Sequence, residues 1–440
     1  MIYIFNEIIF KKRKLFIIFS IFLIAILSIS TISFVSAANI TISPTTSGGL
    51  LTAIDTAKNG DTIYLENGVY TGEDNIELRI DKNITLRGKG KNVVIDAQNK
   101  YTYFFQMIKK DSANKNIPVS VNLINLKIIN FKGDVIDNCG NLKVNNCIFA
   151  NNKIDGAIIA NYKGSNSEIA NSVFTKNTFN SVNDEGGVAI YNDNVANLSL
   201  IKSNFTNFKC TGDSFGVAIQ SFGTSNILIN KCNFKNTGKG TTISSWGKKA
   251  NIQVKNSNFI NDTVSINNIA GFFHISKSTF KKNKLVSIIN YMKMKISGST
   301  FSKCAGFDGI LDNGGSLNIS SSFFKNNKGT FDGAITNTGT MNIRSSKFSG
   351  NTATNCGGAI TNMGTMSIKN SKFSGNSAKK YAGAICNGKV NNSGILKVIN
   401  TKFTNNIVGK TYKSIYNDKE SKITITKVKI TPREGTKVKK

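Results

Sequence analysis

The 440-residue sequence contains little proline, histidine or arginine. It has three prolines and one histidine, and so few prolines argue against long disordered linkers. Only five residues are arginine, although recognition of bases and phosphates depends heavily on arginine. The scarcity of arginine therefore argues against a specific nucleic-acid partner.

Metal-binding cysteine motifs are also missing. The seven cysteines form no Cys-x-x-Cys pair and no zinc-ligand spacing, and their odd number and wide gaps are unlike a disulfide framework. We expect most of them to be small buried or half-buried residues. A bridge between neighbouring repeats is left open but is not predicted.

Acidic residues are scarce relative to basic ones. Lys and Arg number 56 against 25 Asp and Glu, which gives a formal net charge of +31. Such a charge favours contact with polyanions, such as acidic glycans or anionic envelope polymers. The alternative is that lysine is simply abundant throughout, because no single basic cluster or basic helix is evident.

The amino terminus indicates export. Four basic residues at 11–14 precede an apolar run of 21 residues, 15–35, and small residues follow at Ser36, Ala37 and Ala38. This order is typical of a signal peptide cleaved after Ala37 or Ala38. The run is also long enough to remain as a membrane anchor. Residues 1–38 are therefore assigned to one or the other, and the protein is expected to be secreted or held at the cell surface.

The rest of the chain repeats itself. Residues 346–351, Ser-Lys-Phe-Ser-Gly-Asn, recur as residues 371–376, 25 positions later. Gly357-Gly358-Ala359-Ile360 likewise returns as Ala382-Gly383-Ala384-Ile385. A period of 20 to 50 residues is the signature of a solenoid. Leucine-rich and helical repeats are disfavoured, because the chain lacks their leucine pattern and their amphipathic helices.

One phenylalanine per repeat is predicted to stack inside the solenoid. Short alternating strands precede these phenylalanines, and Gly- and Asn-containing turns follow them, which is typical of one coil of a parallel β-helix. The predicted stack consists of Phe149, Phe174, Phe205, Phe234, Phe259, Phe280, Phe301, Phe324, Phe348, Phe373 and Phe403. The helical spacing of Leu50, Leu51, Ile54 and Ala57 predicts a capping helix at the amino-terminal end.

The predicted fold is all-β: a single-stranded right-handed parallel β-helix solenoid with a short amino-terminal capping helix. Residues 39–92 are assigned to the cap and first strands, residues 93–430 to the β-helix repeats, and residues 431–440 to a basic tail.

The repeat resembles that of two families of surface proteins. Residues 348–351, Phe-x-x-Asn, and residues 357–360, Gly-Gly-Ala-Ile, resemble the chlamydial polymorphic outer-membrane-protein repeat. Residues 60–65, 68–70 and 84–88 are similar to adhesin-like proteins of methanogenic archaea.

The resemblance covers roughly residues 45–430 and implies a right-handed β-helix of the pectin-lyase-like class, displayed at the cell surface. After Phe403 we find no barrel, wall-binding repeat or sorting signal. Retention would then depend on charge or on the amino-terminal segment.

Catalytic motifs of glycan-cleaving enzymes with this fold are not evident. The resemblance would direct attention to Asn-Thr-Asp, Asp-Asp and Gly-His-Gly elements, and none is present. The only histidine, His274, lies in an apolar strand pattern and is interpreted as structural. No catalytic residue and no cofactor are therefore predicted. The nearest approach to a carboxylate site is Asp308 and Asp332, 24 residues apart, which could share a cation or a proton but are expected to be solvated.

Sequons provide the last candidate sites, as places for glycosylation of an exported protein. The candidates are Asn83, Asn197, Asn204, Asn261, Asn318 and Asn391.

The sequence thus predicts an adhesin-like surface protein that binds glycans or anionic envelope polymers at many points without catalysis. The expected partners are glycans of a cell wall or of a host or neighbouring cell. The alternative is a polysaccharide lyase or hydrolase of the pectin-lyase-like fold. Extracellular capture of nucleic acid by charge alone is a third possibility, which would collapse with salt.

Overall fold

A computed structural model describes residues 37–182, 185–211, 217–247, 249–388 and 393–436. The basic residues and the whole apolar run of the predicted signal segment lie outside these residues. Within them, no helix is long and apolar enough to cross a membrane. The unit from Asn39 onward consists of strands and one short helix.

Three long parallel sheets form the β-helix, and each coil contributes one strand in turn to sheets I, II and III. Sheet I contains Asn39–Ile42, Thr62–Leu65, Ile84–Gly88, Ser120–Ile124, Asn141–Asn145, Asn166–Ala170, Asn197–Ile201, Asn226–Asn230, Asn251–Lys255, Phe272–Ser276, Lys293–Ser297, Ser316–Ser320, Thr340–Arg344, Thr365–Lys369, Ile395–Ile399 and Lys422–Thr426. Sheet II contains Gly68–Tyr70, Val93–Asp96, Lys127–Ile129, Ile148–Ala150, Val173–Thr175, Asn204–Thr206, Asn233–Lys235, Asn258–Ile260, Thr279–Lys281, Thr300–Ser302, Phe323–Lys325, Lys347–Ser349, Lys372–Ser374, Lys402–Thr404 and Lys429–Thr431. Sheet III contains Leu78–Ile80, Phe105–Met107, Ile136–Asn138, Ala157–Asn161, Val188–Asn192, Ile219–Ser221, Thr241–Ser245, Val264–Asn268, Val286–Asn290, Leu311–Asn313, Ile335–Asn337, Ile360–Asn362, Ile385–Asn387 and Ile415–Asn417.

Short strands between sheets II and III form three small sheets. The largest contains Ala305–Gly306, Lys328–Gly329, Thr352–Ala353, Ser377–Ala378, Ile407–Val408 and Thr411–Tyr412. The second contains Lys153–Ile154, Thr178–Phe179 and Lys209–Cys210, and the third Ser181–Val182 and Glu185–Gly186. The predicted right-handed parallel β-helix is therefore confirmed.

A short helix, α1, covers the amino-terminal end as predicted. It spans Gly49–Thr56 and buries Leu50, Ala53 and Ile54. Leu51, which the helical spacing placed on the same face, is instead 42% exposed. Residues 50 and 51 differ by 100° around a helix, so a narrow buried face accommodates only one of them.

The eleven predicted phenylalanines lie in one file on the inner face of sheet II, and all are fully buried. Their ring centroids are 4.5–5.0 Å apart and their planes differ by 2–16°. The sheet pairs each ring with the ring of the next coil, for example Phe348 with Phe373. Parallel register thus converts a repeat of 21 to 31 residues into one continuous apolar column.

Asparagines three positions after the stacked phenylalanines form a second buried column. The Nδ2 of Asn351 donates to Oδ1 of Asn376 at 2.9 Å and to the carbonyl of Phe324 at 2.9 Å. We expected these asparagines to lie in left-handed turns. Positive φ occurs instead one residue earlier, as at Asn326 and Gly350, and the third position points inward. These amides can be buried because groups of neighbouring coils accept their hydrogen bonds.

Glycines of the Gly-Gly-Ala-Ile step are required by close contact between coils. A Cβ on Gly333 would lie 2.3 Å from the carbonyl oxygens of Gly357 and Gly358. Neither Gly333 nor Gly357 has positive φ, so the turn geometry predicted for this step does not explain them. The absence of a side chain lets adjacent backbones approach.

A disulfide between Cys356 and Cys386 joins two neighbouring coils. The sequence did not predict this bond, because the two residues are 30 positions apart and only the coil register brings their Cα atoms within 5.6 Å. Of the other cysteines, Cys147, Cys232 and Cys304 are buried, in keeping with their predicted role as core residues.

Removal of this disulfide is expected to destabilise the coils around it. A closed loop of 30 residues corresponds to about 3–4 kcal/mol in the chain-entropy model. Replacing both Cys356 and Cys386 by alanine, or adding a reductant, should lower the urea midpoint accordingly. The double variant should not respond to reductant. Cys304→Ala is the matched control, because it removes a buried free thiol but keeps the disulfide, so its urea midpoint should fall with reductant as that of the wild type does. Equal wild-type urea midpoints with and without reductant would contradict the expectation.

Candidate active site

The outward side chains of sheet III form a continuous row near its amino-terminal end. Arg79, Gln106, Asp137, Ala160 and Tyr191 follow one another in register. Adjacent strands lie about 4.8 Å apart, so these residues are neighbours although 23 to 31 positions separate them in the sequence. The row brings a cation, an amide, a carboxyl group and a phenol onto one face.

Asp137 accepts side-chain hydrogen bonds with both of its carboxyl oxygens. Its Oδ2 accepts a hydrogen bond from Nε2 of Gln106 at 2.8 Å, and its Oδ1 accepts a longer one from the hydroxyl of Tyr162 at 3.4 Å. Asp134 lies three residues earlier in the same coil, just before the strand Ile136–Asn138, and its carboxylate accepts a hydrogen bond from the backbone N–H of Ala157. The amide and the phenol fix the orientation of the Asp137 carboxyl group.

Burial raises the pKa of Asp137, and the nearby charge of Asp134 raises it further. The hydrogen bonds from Gln106 and Tyr162 act in the opposite direction but do not cancel these effects. The pKa of Tyr162 is also raised, chiefly by burial and by the charge of Asp137. A half-buried carboxyl group that keeps its proton to higher pH beside a second carboxylate is suited to general acid catalysis.

Aromatic rings from three successive coils continue from this row. Tyr191 lies 5.6 Å from Phe222, and Phe222 lies 6.5 Å from Trp246 with a plane angle of 12° (centroid distances). Trp246 is 37% exposed. Ala160 lies between Tyr191 and Asp137 in the row, so those two residues are two strand spacings, about 9.6 Å, apart. The side chain of Ala160 is a single methyl group. We refer to Tyr191, Phe222 and Trp246 as the aromatic platform, which offers flat apolar surface beside the carboxyl group.

The carboxylate pair considered from the sequence lies in later coils, just before the sheet III strands Leu311–Asn313 and Ile335–Asn337. Asp308 is exposed and Asp332 is buried, so the two do not share one environment. Both contribute to raising the pKa of Asp312, after burial, which is the largest cause. Within the described residues, no group of three His, Cys, Asp or Glu side chains could hold a metal ion.

His274 occupies the outward row of sheet I between Gln253 and Lys295. Its pKa is lowered by partial burial and by the charges of Lys295 and Lys255. Within the described part of the chain, no carboxylate is among the groups that shift this pKa. A carboxylate is the group that orients the histidine base of a catalytic triad.

Five of the six candidate sequon asparagines lie in described parts of the chain, and each takes part in a side-chain hydrogen bond. The bonds link Asn83 to Ser120, Asn197 to Asn166 and Asn226, Asn204 to Asn233, Asn261 to Asn236, and Asn318 to Asn342. Asn391 lies outside the described residues. Asn197 also lines a groove of about 540 Å³ on sheet I. Glycosylation at these positions stays a prediction.

Sequence reasoning missed Asp134, Asp137, Tyr162 and the aromatic platform. The coils that carry them differ in length, from 23 to 31 residues, so no fixed offset aligns them. The spacing Asp134-x-x-Asp137 was the one available signal, and it is too common to be informative alone.

Comparison with known proteins finds a likeness among solved structures. No family model matches it, and no curated protein matches it by sequence. Solved structures do resemble it. Tailspike protein 3 of bacteriophage CBA120 has a TM-score of 0.43 at 12% identity, covering 89% of this chain and 60% of the tailspike. The chain therefore spans less than two thirds of that protein's length.

Two further structures cover more of their own chains. A GH87 α-1,3-glucanase catalytic domain in complex with tetrasaccharides has a TM-score of 0.41 at 12% identity, covering 88% of this chain and 68% of that domain. A PL6 alginate lyase complex with trisaccharide has a TM-score of 0.40 at 12% identity, covering 89% and 84%. At these identities and TM-scores the likeness adds nothing to the parallel β-helix that the strand order itself shows.

These comparisons correct the functional prediction made from the sequence. The similar structures include a glucanase catalytic domain and an alginate lyase, which contradicts the prediction of an adhesin-like, non-catalytic binding protein. The alternative prediction was a polysaccharide lyase or hydrolase. The resemblance to methanogen adhesin-like proteins is not addressed by these comparisons and stays a prediction.

Proposed function

We propose that the protein is a polysaccharide-cleaving enzyme whose general acid is Asp137. The observation that carries this proposal is the geometry of Asp137, a half-buried carboxyl group on an outward face, beside Asp134 and held by Gln106 and Tyr162. The raised pKa of Asp137 agrees with this role. In glycoside hydrolysis, a protonated carboxyl group donates to the glycosidic oxygen while a second carboxylate assists water or attacks the sugar. Asp134 is the second carboxylate.

The aromatic platform fits the same substrate class. Sugar rings present apolar C–H faces that pack on aromatic side chains, and an extended chain lying along sheet III would cross Tyr191, Phe222 and Trp246. The small Ala160 leaves space between the platform and Asp137. One polysaccharide chain can therefore contact both features.

Export is part of the proposal. Disulfides persist in oxidising compartments and are rare in the cytosol, and the Cys356–Cys386 bridge supports a location outside the cell. The basic and apolar order of residues 11–38 supports the same location.

The test is cleavage of polysaccharides by the full-length protein. Incubation with an α-glucan, a pectate and an alginate should release new reducing ends from at least one of them. Asp137→Asn should lower the rate by at least about 100-fold, because it removes the proton donor. The control is Asp312→Asn, which removes another half-buried carboxyl group with a raised pKa from the same sheet and should leave the rate unchanged.

Two outcomes would refute the proposal: no new reducing ends from any of the three polymers, or full activity in Asp137→Asn. Unsaturated ends among the products would identify a lyase, and their absence a hydrolase. The wild-type rate should fall at high pH, because Asp137 must hold its proton to act, and its raised pKa extends the active range upward.

A further inference from the structure

A column of lysines lies on the outer face of sheet II, away from the Asp137 site. Lys347, Lys372, Lys402 and Lys429 pair in register on four successive strands, and all four are exposed. Their backbones are therefore about 4.8 Å apart. We call these four residues the lysine column. The sequence showed only scattered lysines, because 25 to 30 positions separate each from the next.

Like charges directly opposite one another destabilise a sheet, so this column carries a cost. Nothing in the coil geometry requires lysine at this position, since the preceding strands have Thr279 and Thr300 there. Within the described residues, none of the four lysines forms an ion pair. The four charges are available to an external anion.

The surrounding charge reinforces the column. From residue 344 to residue 431 the sequence has fifteen Lys and Arg against two Asp and Glu, a net charge of +13. A groove of about 420 Å³ runs beside the column and is also lined by Ser345, Asn370, Asn400 and Lys427. Its lining therefore combines ammonium groups with hydroxyl and amide groups, the donors and acceptors that match sugar hydroxyls.

An aromatic ring continues the column. Phe323 pairs with Lys347 in register and is 49% exposed. It provides one flat apolar surface at the end of a charged groove, in the position that a sugar ring of the same bound chain would reach.

We propose that the lysine column, its groove and Phe323 bind an acidic polysaccharide, one acidic sugar per coil. The strand spacing is close to the length of one pyranose unit, so successive carboxylates or sulfates can meet successive lysines. Duplex nucleic acid fits less well, because each strand carries a phosphate every 3.4 Å or so along the axis. Single-stranded nucleic acid is usually bound by several interleaved aromatic rings, and this groove has one.

The inference rests on the proposed function only in taking the bound polymer as substrate. The column lies on sheet II near the carboxy-terminal coils, and Asp137 lies on sheet III in an early coil. Binding and cleavage can thus be measured separately.

The experiment measures the affinity of the full-length protein for polygalacturonate, with dextran as the neutral polymer. The triple variant Lys347→Gln, Lys372→Gln, Lys402→Gln should weaken polygalacturonate binding about tenfold, since exposed ion pairs each contribute modestly. The matched control replaces Lys235, Lys281 and Lys325 by glutamine. These lysines are exposed on the other outward row of sheet II, and the change in net charge is identical.

The control triple variant should retain its affinity for polygalacturonate within about twofold. Its three lysines lie on every second coil, so they do not form a continuous column. Phe323→Ala should weaken binding of polygalacturonate but not of inorganic polyphosphate. Asp137→Asn should bind polygalacturonate as wild type does, even though it fails to cleave. Equal losses in the two triple variants, equal affinity for dextran, or tighter binding of single-stranded DNA would each overturn the proposal.

Discussion

Phe348→Asp is expected to unfold the coils on either side of the substitution. The ring of Phe348 is fully buried and lies 4.7 Å from the rings of both Phe324 and Phe373. Truncating a buried phenylalanine costs about 3–5 kcal/mol, and an unpaired buried carboxylate adds several more. We expect a total loss above about 5 kcal/mol in the free energy of unfolding, measured by urea denaturation.

Lys347→Asp is the matched control for this substitution. Lys347 is the preceding residue on the same strand, but it is exposed. Surface changes of this kind stay within about 1 kcal/mol. Because solenoid stability is built from neighbouring repeats, Phe348→Asp should also separate unfolding into two transitions. Similar urea midpoints for the two variants would show that the inward register of sheet II is wrong.

Asp262→Asn is expected to stabilise the protein strongly above neutral pH. Asp262 is fully buried and takes a position in the asparagine column next to Asn283, whose Oδ1 accepts from its backbone N–H at 3.2 Å. Its Oδ1 accepts from the hydroxyl of Thr237 at 2.9 Å, while its Oδ2 has no hydrogen-bond partner among the residues that the structure describes. Burial raises the pKa of Asp262 from 3.8 to about 7.

The sign of the pH dependence follows from this pKa. The folded protein holds the Asp262 proton more tightly than the unfolded chain, so the carboxyl group favours folding fully below pH 3.8. That contribution is lost as the pH rises through about 7, and the loss is on the order of 4 kcal/mol. Asparagine has no proton to lose and adds an Nδ2 donor for the column.

Urea midpoints at pH 5 and pH 8 test this expectation. Wild type should lose stability between the two values, and Asp262→Asn should lose much less. Asp155→Asn is the control, because it removes an exposed carboxylate and should keep the wild-type difference. An equal decline in wild type and Asp262→Asn would mean that Asp262 is not the group responsible.

The fold could be predicted from the sequence because its signals are local and repeated. Each stacked phenylalanine follows an alternating strand within one coil, and eleven copies establish the register. The amphipathic helix near Leu50 is equally local. The inward asparagine column was missed because asparagine is also the common residue of left-handed turns, and Asn326 beside Asn327 illustrates both roles.

The candidate site could not be predicted, because it depends on pairs of residues in different coils. Gln106 and Asp137 are 31 positions apart, and Asp137 and Tyr162 are 25 positions apart. Their contact depends on how many residues each turn contains, which a repeat pattern does not specify. The Cys356–Cys386 bridge and the lysine column were missed for the same reason. Burial, which raises the pKa of Asp137, is likewise a property of the assembled surface.

Unequal coil lengths have a consequence for how such a protein can change. The ring spacing stays within 4.5–5.0 Å while the number of residues between stacked phenylalanines varies from 21 to 31. Insertions are therefore accommodated at the periphery and leave the interior unperturbed. Selection could lengthen or exchange these peripheral segments, and so reshape the outer surface, without changing how the interior packs.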